Sequence, residues 1–91
     1  MICKKCLVGG RVQGVFYRAS AAQRARELGI RGHAKNLPEG RVEVLALGEA
    51  DAVQAFIDWL WQGSTASKVT SVDVTDIRLD PHEHPKGFTT G

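Results

Sequence analysis

The chain has 91 residues and a mass of 9.9 kDa, and 43% of its residues are hydrophobic while 24% are charged. This balance predicts one folded domain over residues 1–91 and excludes a disordered or fibrous protein. The net charge is +2, and the basic residues are scattered from Lys4 to Lys86, so the charge pattern alone does not indicate a nucleic-acid-binding protein, which usually concentrates basic charge on one face. No apolar run is long enough for a membrane helix, and residues 1–5 are not followed by the apolar run of a signal peptide, so we expect neither. We therefore expect a cytoplasmic protein with no membrane or nucleic-acid partner.

The first third of the chain predicts a strand, a loop and a helix. Residues 2–9 have no helical period and end at a Gly-Gly pair, which is typical of a strand running into a turn. Residues 10–18 contain further glycine and are predicted as a loop. Residues 20–28 favour a helix, with Ala21, Ala25 and Leu28 on one face and Gly29 as its C-terminal cap.

The middle of the chain predicts a hairpin followed by a second helix. A short polar segment at 31–35 leads into a tight turn at 36–40, and residues 41–47 are rich in strand formers. Residues 49–62 then predict a helix. Its apolar side chains recur with the spacing of one buried helix face: Val53, Phe56, Ile57 and Leu60.

The last third predicts one more strand over residues 69–79. The apolar alternation changes phase between Val74 and Ile77, which indicates a bulge. In the tail from Pro81 onward, Phe88 is expected to return to the sheet edge. The resulting order, β-α-β-β-α-β, predicts an α+β ferredoxin-like sandwich in which an antiparallel sheet carries two helices on one face.

That order serves several functions, so function has to come from a site. An RNA-binding module would need aromatic residues on its central strands, and these strands offer valine and leucine. Cys3 and Cys6 leave three readings open: half of a zinc site, a redox pair, or two ordinary thiols. We favour ordinary thiols in a reducing compartment, because strand residues three apart point to opposite faces.

The loop before the first helix has the ingredients of an anion-binding cradle. Its glycines allow successive backbone N–H groups to turn inward, and it leads into the positive end of a helix. Arg18 closes the loop with a planar charged group that matches phosphate oxygens. The segment has neither the Gly-Lys-Ser/Thr ending nor the Gly-x-Gly-x-x-Gly spacing of the nucleotide-binding loops. Phosphate or carboxylate binding and a plain strand-to-helix turn both remain open from this pattern alone.

The same residues carry a resemblance to a known family. The loop reads Val12-Gln13-Gly14-Val15-Phe16-Tyr17-Arg18. A second group of residues agrees in spacing with the same family: Gly32, Lys35, Asn36, Gly40, Val42 and Gly48. These two motifs resemble the two signatures of the acylphosphatases, and the resemblance covers nearly the whole chain.

The resemblance implies hydrolysis of acyl phosphates to a carboxylate and inorganic phosphate. Arg18 and the backbone N–H groups of Gln13, Gly14, Val15, Phe16 and Tyr17 would hold the phosphoryl group. Asn36, at the end of the second strand, would orient the attacking water. The resemblance implies no metal, cofactor, covalent intermediate or protein general base, and we expect a monomer. The alternative is a non-catalytic anion-binding or carbamoyl-phosphate-handling module, such as the similar domains within hydrogenase-maturation proteins.

Three further features of the sequence are candidate sites or departures from the family's pattern. His82-Glu83-His84 is predicted to be a solvated loop rather than a metal site, since two histidines need further convergent ligands. His33 stands where the family usually has an aromatic residue, and we expect it to have a structural or peripheral role. The chain end lacks the basic residue often found in the family's last strand, which puts the final edge strand in doubt.

Overall fold

The computed structural model describes all residues from 1 to 91. Five strands are present: β1 (Ile2–Arg11), β2 (Arg31–Asn36), β3 (Val42–Gly48), β4 (Lys68–Asp76) and β5 (Phe88–Thr89). The two helices are α1 (Tyr17–Leu28) and α2 (Ala50–Gln62), and a single 3-10 turn covers Pro81–Glu83. The predicted order β-α-β-β-α-β is confirmed, with one short strand added at the end. No helix is long and apolar enough to cross a membrane.

The strands form one sheet in the order β4-β1-β3-β2-β5. β1 pairs antiparallel with both β3 and β4, and β2 pairs antiparallel with β3. β5 runs parallel to β2, with Gly32 opposite Phe88 and His33 opposite Thr89. The sheet is therefore mixed at one edge rather than wholly antiparallel, because the chain returns to that edge after crossing the molecule.

The core lies between one face of the sheet and the two helices. The predicted stripe on α2 is buried, and Phe56 and Leu60 are fully inaccessible to solvent. α1 contributes small side chains, Ala21 and Ala25, so that it can lie close to the sheet. Trp59 packs beside Phe56, with ring centroids 6.4 Å apart. Both helices thus cover the same face, and the ends of the strands remain available for a site.

The irregularity in the β1–β4 pair is not where the alternation predicted it. β1 continues through the Gly-Gly pair to Arg11, and its register with β4 shifts between Gly9 and Gly10. Gly10 has a φ of +116°, and a Cβ there would overlap the backbone carbonyl oxygen of Lys68. The predicted bulge between Val74 and Ile77 is wrong: the change of phase marks the end of β4 at Asp76.

The tail completes the sheet despite lacking a basic residue in its last strand. Phe88 is only 5% exposed and meets Phe56 edge to face, with ring centroids 5.7 Å apart. The backbone N–H of Gly32 donates to the carbonyl of Gly87, and Arg26 donates to the carbonyl of Phe88. An aromatic anchor and these hydrogen bonds hold the edge strand in place.

Candidate active site

The loop between β1 and α1 is short and fixed at both ends. Val12 and Tyr17 are each only 1% exposed and belong to the core. Between them Gly14 has a φ of +72°, which only glycine adopts at little cost, and Phe16 has a φ of +59°. These two left-handed residues reverse the chain within a few positions, so that β1 feeds directly into α1.

α1 begins earlier than the sequence predicted. Its first residue is Tyr17, not Ser20, and the N–H of Ser20 already donates to the carbonyl of Phe16 at 3.0 Å. The helix can start here because the left-handed Phe16 turns the chain into it. Arg18 therefore stands in the first helical turn instead of at the end of a loop.

The loop and the first turn of α1 present N–H groups that are not used within the protein. The N–H groups of residues 13–16 donate to no carbonyl and to no side chain. The first turn of any helix leaves its N–H groups free, and this end of the helix carries partial positive charge. α1 has no acidic residue in its first turn, and Arg18 forms no ion pair. The arrangement favours an anion.

A cavity of about 290 Å³ lies beside these groups. The residues that line it are Val12, Gly14, Phe16, Tyr17, Arg18, Ala19 and Thr90. Arg18 is the only charged residue among them. The structure thus brings the predicted arginine to the same cavity as three of the predicted loop residues, and adds Ala19 and the chain end, which the sequence did not indicate.

Gln13 contributes a contact that sequence reasoning missed. Its side-chain Nε2 donates to the carbonyl oxygens of Leu37 and Arg41, each at 2.9 Å. These carbonyls belong to the β2–β3 turn, where Gly40 N–H donates to Leu37 at 3.1 Å. The predicted role of Gln13 uses only its backbone, whereas its side chain ties the loop to the hairpin that carries Asn36.

Two further hydrogen bonds fix the loop from the side of α2. Ser64 Oγ donates to the carbonyl of Val15 at 2.9 Å, and the Tyr17 hydroxyl donates to the carbonyl of Leu60 at 2.8 Å. Burial, with a further contribution from Cys6, raises the pKa of Tyr17 above its usual range, so its hydroxyl remains a donor at neutral pH. The loop is thus held by its carbonyls and side chains, while its N–H groups remain free.

Asn36 is the last residue of β2, as predicted. It is paired with Val42, whose side chain is fully buried in the core. Directly paired residues share a face of the sheet, so Asn36 points to the helix-bearing face at the end where the loop lies. Asn36 is exposed and does not line the cavity around Arg18, but the Gln13 contact to Leu37 joins the loop to the residue that follows it.

His33 lies on the other face of the sheet. Its Nε2 is 2.8 Å from Glu43 Oε2, and Lys35 Nζ is 3.4 Å from the same oxygen. Burial opposes ionisation of Glu43, but these two partners outweigh it and lower the pKa of the carboxyl group. The cluster joins β2 to β3, and His33 does not line the cavity around Arg18, so the structural or peripheral role expected of it stays a prediction.

The two cysteines are free and buried, as expected of ordinary thiols. Burial raises the pKa of Cys6 to about 11, despite the opposing charge of Lys4, so its thiol stays protonated at neutral pH. Cys3 lines a larger cavity of about 570 Å³ with Leu47, Ile77 and Leu79. That cavity lies at the start of β1, at the opposite end of the strand from the loop, and contains none of the predicted site residues.

The segment predicted as a solvated loop at His82-Glu83-His84 begins instead with a 3-10 turn. Asp80 and Glu83 form a capping box there, and the N–H of Asp80 donates to Glu83 Oε1 at 3.0 Å. Potential ligand atoms of Asp80, His82 and Glu83 lie within 4.8 Å of one another, and all three residues are exposed. The two carboxylates are thus engaged in closing their own turn.

Comparison with known proteins gives one family. The family model described as Acylphosphatase matches residues 4–90. A curated relative named Acylphosphatase, from Nitrosococcus oceani, is 56% identical over 77 residues, which are 85% of this chain and 86% of the relative.

Solved structures agree with this result. An acylphosphatase from Bacillus subtilis superimposes with a TM-score of 0.92 at 37% identity, covering 100% of this chain and 99% of that one. T. kodakarensis HypF also contains the fold, with a TM-score of 0.86 at 25% identity, but the match covers only 12% of that chain. The two motifs found in the sequence therefore lie in a chain that matches whole acylphosphatases from end to end.

Proposed function

The chain belongs to the acylphosphatase family, and on that premise we propose that it hydrolyses the carboxyl–phosphate bond of acyl phosphates, releasing a carboxylate and inorganic phosphate. One observation supports this function above the others. The N–H groups of residues 13–16 have no acceptor within the protein. They lie at the positively charged start of α1, where Arg18 contributes a further positive charge and no acidic residue is present in the first turn. Such a cradle suits the phosphoryl oxygens of a small substrate.

Arg18 and the N–H groups of Gln13, Gly14, Val15, Phe16 and Tyr17 hold the phosphoryl group in this proposal. The guanidinium supplies two parallel donors, and the N–H groups supply fixed dipoles that need no rearrangement as charge develops. The other hydrogen bonds of the loop support this role. They use the Gln13 side chain and the Val15 carbonyl, so they position the N–H groups of the loop and leave them free to bind the substrate.

Asn36 orients the attacking water through its side-chain amide. The water oxygen attacks phosphorus as the bond from phosphorus to the acyl oxygen breaks, and the carboxylate leaves with the bonding electrons. A phosphoryl oxygen of the substrate accepts the proton of the water. The carboxylate is a good leaving group, so positioning and charge stabilisation supply most of what the reaction needs. Gln13 links the phosphoryl-binding loop to the strand that carries Asn36, because its side chain binds the turn that follows Asn36.

The test is phosphate release from acetyl phosphate, with and without a chelator, by the native protein and by Asn36→Ala. We expect chelator-resistant turnover in the native protein and a fall in kcat of about 100-fold in Asn36→Ala, the cost of a misplaced reactant. Inhibition by inorganic phosphate should change much less in that variant. Lys35→Ala is the matched control, since Lys35 neighbours Asn36 and contacts Glu43 on the opposite face. It should retain native turnover.

Three outcomes would contradict the proposal. Folded protein that binds phosphate but releases none from acetyl or carbamoyl phosphate would favour the alternative, a non-catalytic anion-binding module. Loss of activity with the chelator would overturn the metal-free scheme. Native turnover in Asn36→Ala would remove Asn36 from the mechanism.

A further inference from the structure

Phe16 has two properties that do not suit a phenylalanine placed there for folding alone. It is the only residue other than glycine with a positive φ, at φ +59° and ψ +19°. Its side chain is also 83% exposed, more than that of any other large hydrophobic residue in the chain. The left-handed backbone is disfavoured for a bulky side chain, and glycine or asparagine would adopt it at lower cost. An aromatic ring that stabilises neither the backbone nor the core is expected to serve a ligand.

The surroundings of Phe16 indicate what that ligand contains. The cavity beside it has apolar walls at Val12 and Ala19 and one charged group, Arg18. In the proposed function Arg18 and the loop N–H groups are occupied by the phosphoryl oxygens. A second charge elsewhere on the substrate would then find no partner among the residues that line the cavity, whereas an apolar group would meet an exposed ring.

The position of Phe16 places its ring in the cavity where the acyl group of the substrate would lie. Phe16 and Arg18 line the same cavity, so an acyl group bonded to a phosphoryl group held at Arg18 shares that cavity with the ring. The cavity is small, about 290 Å³, at the lower limit of ordinary ligand pockets. One phosphoryl group and one compact acyl group fit this space.

We propose, on the premise of the function given above, that Phe16 packs against the acyl group of the substrate and favours uncharged aromatic acyl phosphates over acetyl phosphate. The phosphoryl cradle is common to all acyl phosphates and does not distinguish them. Among the lining residues Phe16 is the one large hydrophobic residue that is exposed, so its ring is the surface that a benzoyl group would cover and an acetyl group would hardly reach. Aromatic rings gain from offset or edge contacts with one another beyond the area they bury.

The experiment compares kcat/KM for benzoyl phosphate and for acetyl phosphate, expressed as their ratio. Phe16→Asn keeps a residue that tolerates the left-handed backbone and removes the ring, and we expect the ratio to fall by about threefold to tenfold, as for loss of one aromatic contact. Phe16→Tyr should keep the native ratio, because it keeps the ring. Trp61→Gln removes another exposed aromatic side chain, 51% exposed and outside the cavity, and should also keep it.

The ratio is the informative quantity because the fraction of folded enzyme and the handling of the phosphoryl group affect both substrates alike. A ratio in Phe16→Asn within twofold of the native value would overturn this inference and leave the proposed function intact. An equal fall in Trp61→Gln would also overturn it. Native protein that hydrolyses neither substrate would overturn the proposed function, and this inference with it.

Discussion

The two helices begin in opposite ways. α2 starts after Glu49 and carries Asp51 in its first turn, where the carboxylate accepts a hydrogen bond from the N–H of Ala52 at 2.9 Å. α1 starts after the left-handed Phe16, has no acid in its first turn and carries Arg18 there. Neither helix has a side-chain cap. The positive end of α2 is thus neutralised by its own residues, and the positive end of α1 is reinforced.

This difference indicates that the start of α2 is built for stability, whereas the start of α1 is suited to binding an anion. Acidic residues in the first turn stabilise a helix by about 0.3–1 kcal/mol, and a cation there does the reverse. α1 therefore forgoes a stabilisation that α2 has, and it does so next to four loop N–H groups that have no acceptor. Within one small chain, the helix start that is less favourable for folding is the one suited to a bound anion.

Replacing Arg18 is expected to have the largest effect of the changes that test this difference between the two helix starts. Arg18→Lys keeps a positive charge at the start of α1 but loses the planar pair of donors, and we expect kcat/KM for acetyl phosphate to fall by about 100-fold or more. The measurement is steady-state phosphate release. Arg24→Lys is the matched control, since Arg24 lies on the same helix and pairs with Glu27 at 3.2 Å. Activity of Arg18→Lys near that of the control would show that charge alone suffices.

Gln13→Ala removes the tie between the loop and the β2–β3 turn. Two hydrogen bonds are lost, but both carbonyls keep a backbone donor, so we expect the free energy of unfolding to fall by about 1–2 kcal/mol. We also expect kcat to fall by about tenfold, because the loop and Asn36 are no longer held together. Urea unfolding and phosphate release measure the two effects. Gln23→Ala, at an exposed position of α1, should change neither.

The smallest expected effects come from exchanging the electrostatics of the two helix ends. Ala19→Asp places a carboxylate in the first turn of α1, and it should be more stable than Ala19→Asn by about 0.3–1 kcal/mol in phosphate-free buffer. It should also bind inorganic phosphate more weakly than Ala19→Asn, because the carboxylate takes the place of the anion. At α2, Asp51→Asn should lose a similar stability and leave phosphate affinity unchanged. Equal phosphate affinity in the two Ala19 variants would mean that this helix end does not bind the anion.

The sequence predicts the elements of the fold well because local patterns determine them. The stripe on α2 and the turn around Pro38 depend on residues a few positions apart, and both are found. The sequence does not locate the register shift at Gly9 and Gly10, since the shift arises from the pairing of two strands that are distant in the sequence. The early start of α1 has a different cause. It depends on the left-handed backbone of Phe16, which is rare for a phenylalanine and which helix propensities do not predict.

The predicted site residues came from the two motifs, but the way they are held came only from the structure. Gln13 binds Leu37 and Arg41, which lie 24 and 28 positions away, and nothing in the spacing indicates that contact. The presence of Thr90 in the cavity likewise depends on β5 returning beside β2. Local sequence thus identifies chemical groups, and long-range pairing decides which of them meet.

The loop between the buried residues Val12 and Tyr17 has a consequence for hydrogen-exchange measurements. Amide protons exchange slowly when they are hydrogen-bonded, and the N–H groups of residues 13–16 are not, so they are unprotected although the segment is anchored at both ends. Fast exchange here does not report a mobile backbone. An anion that accepts hydrogen bonds from these N–H groups slows their exchange while moving the chain little. The gain in protection therefore measures how much of the protein has bound the anion, not a stiffening of the backbone.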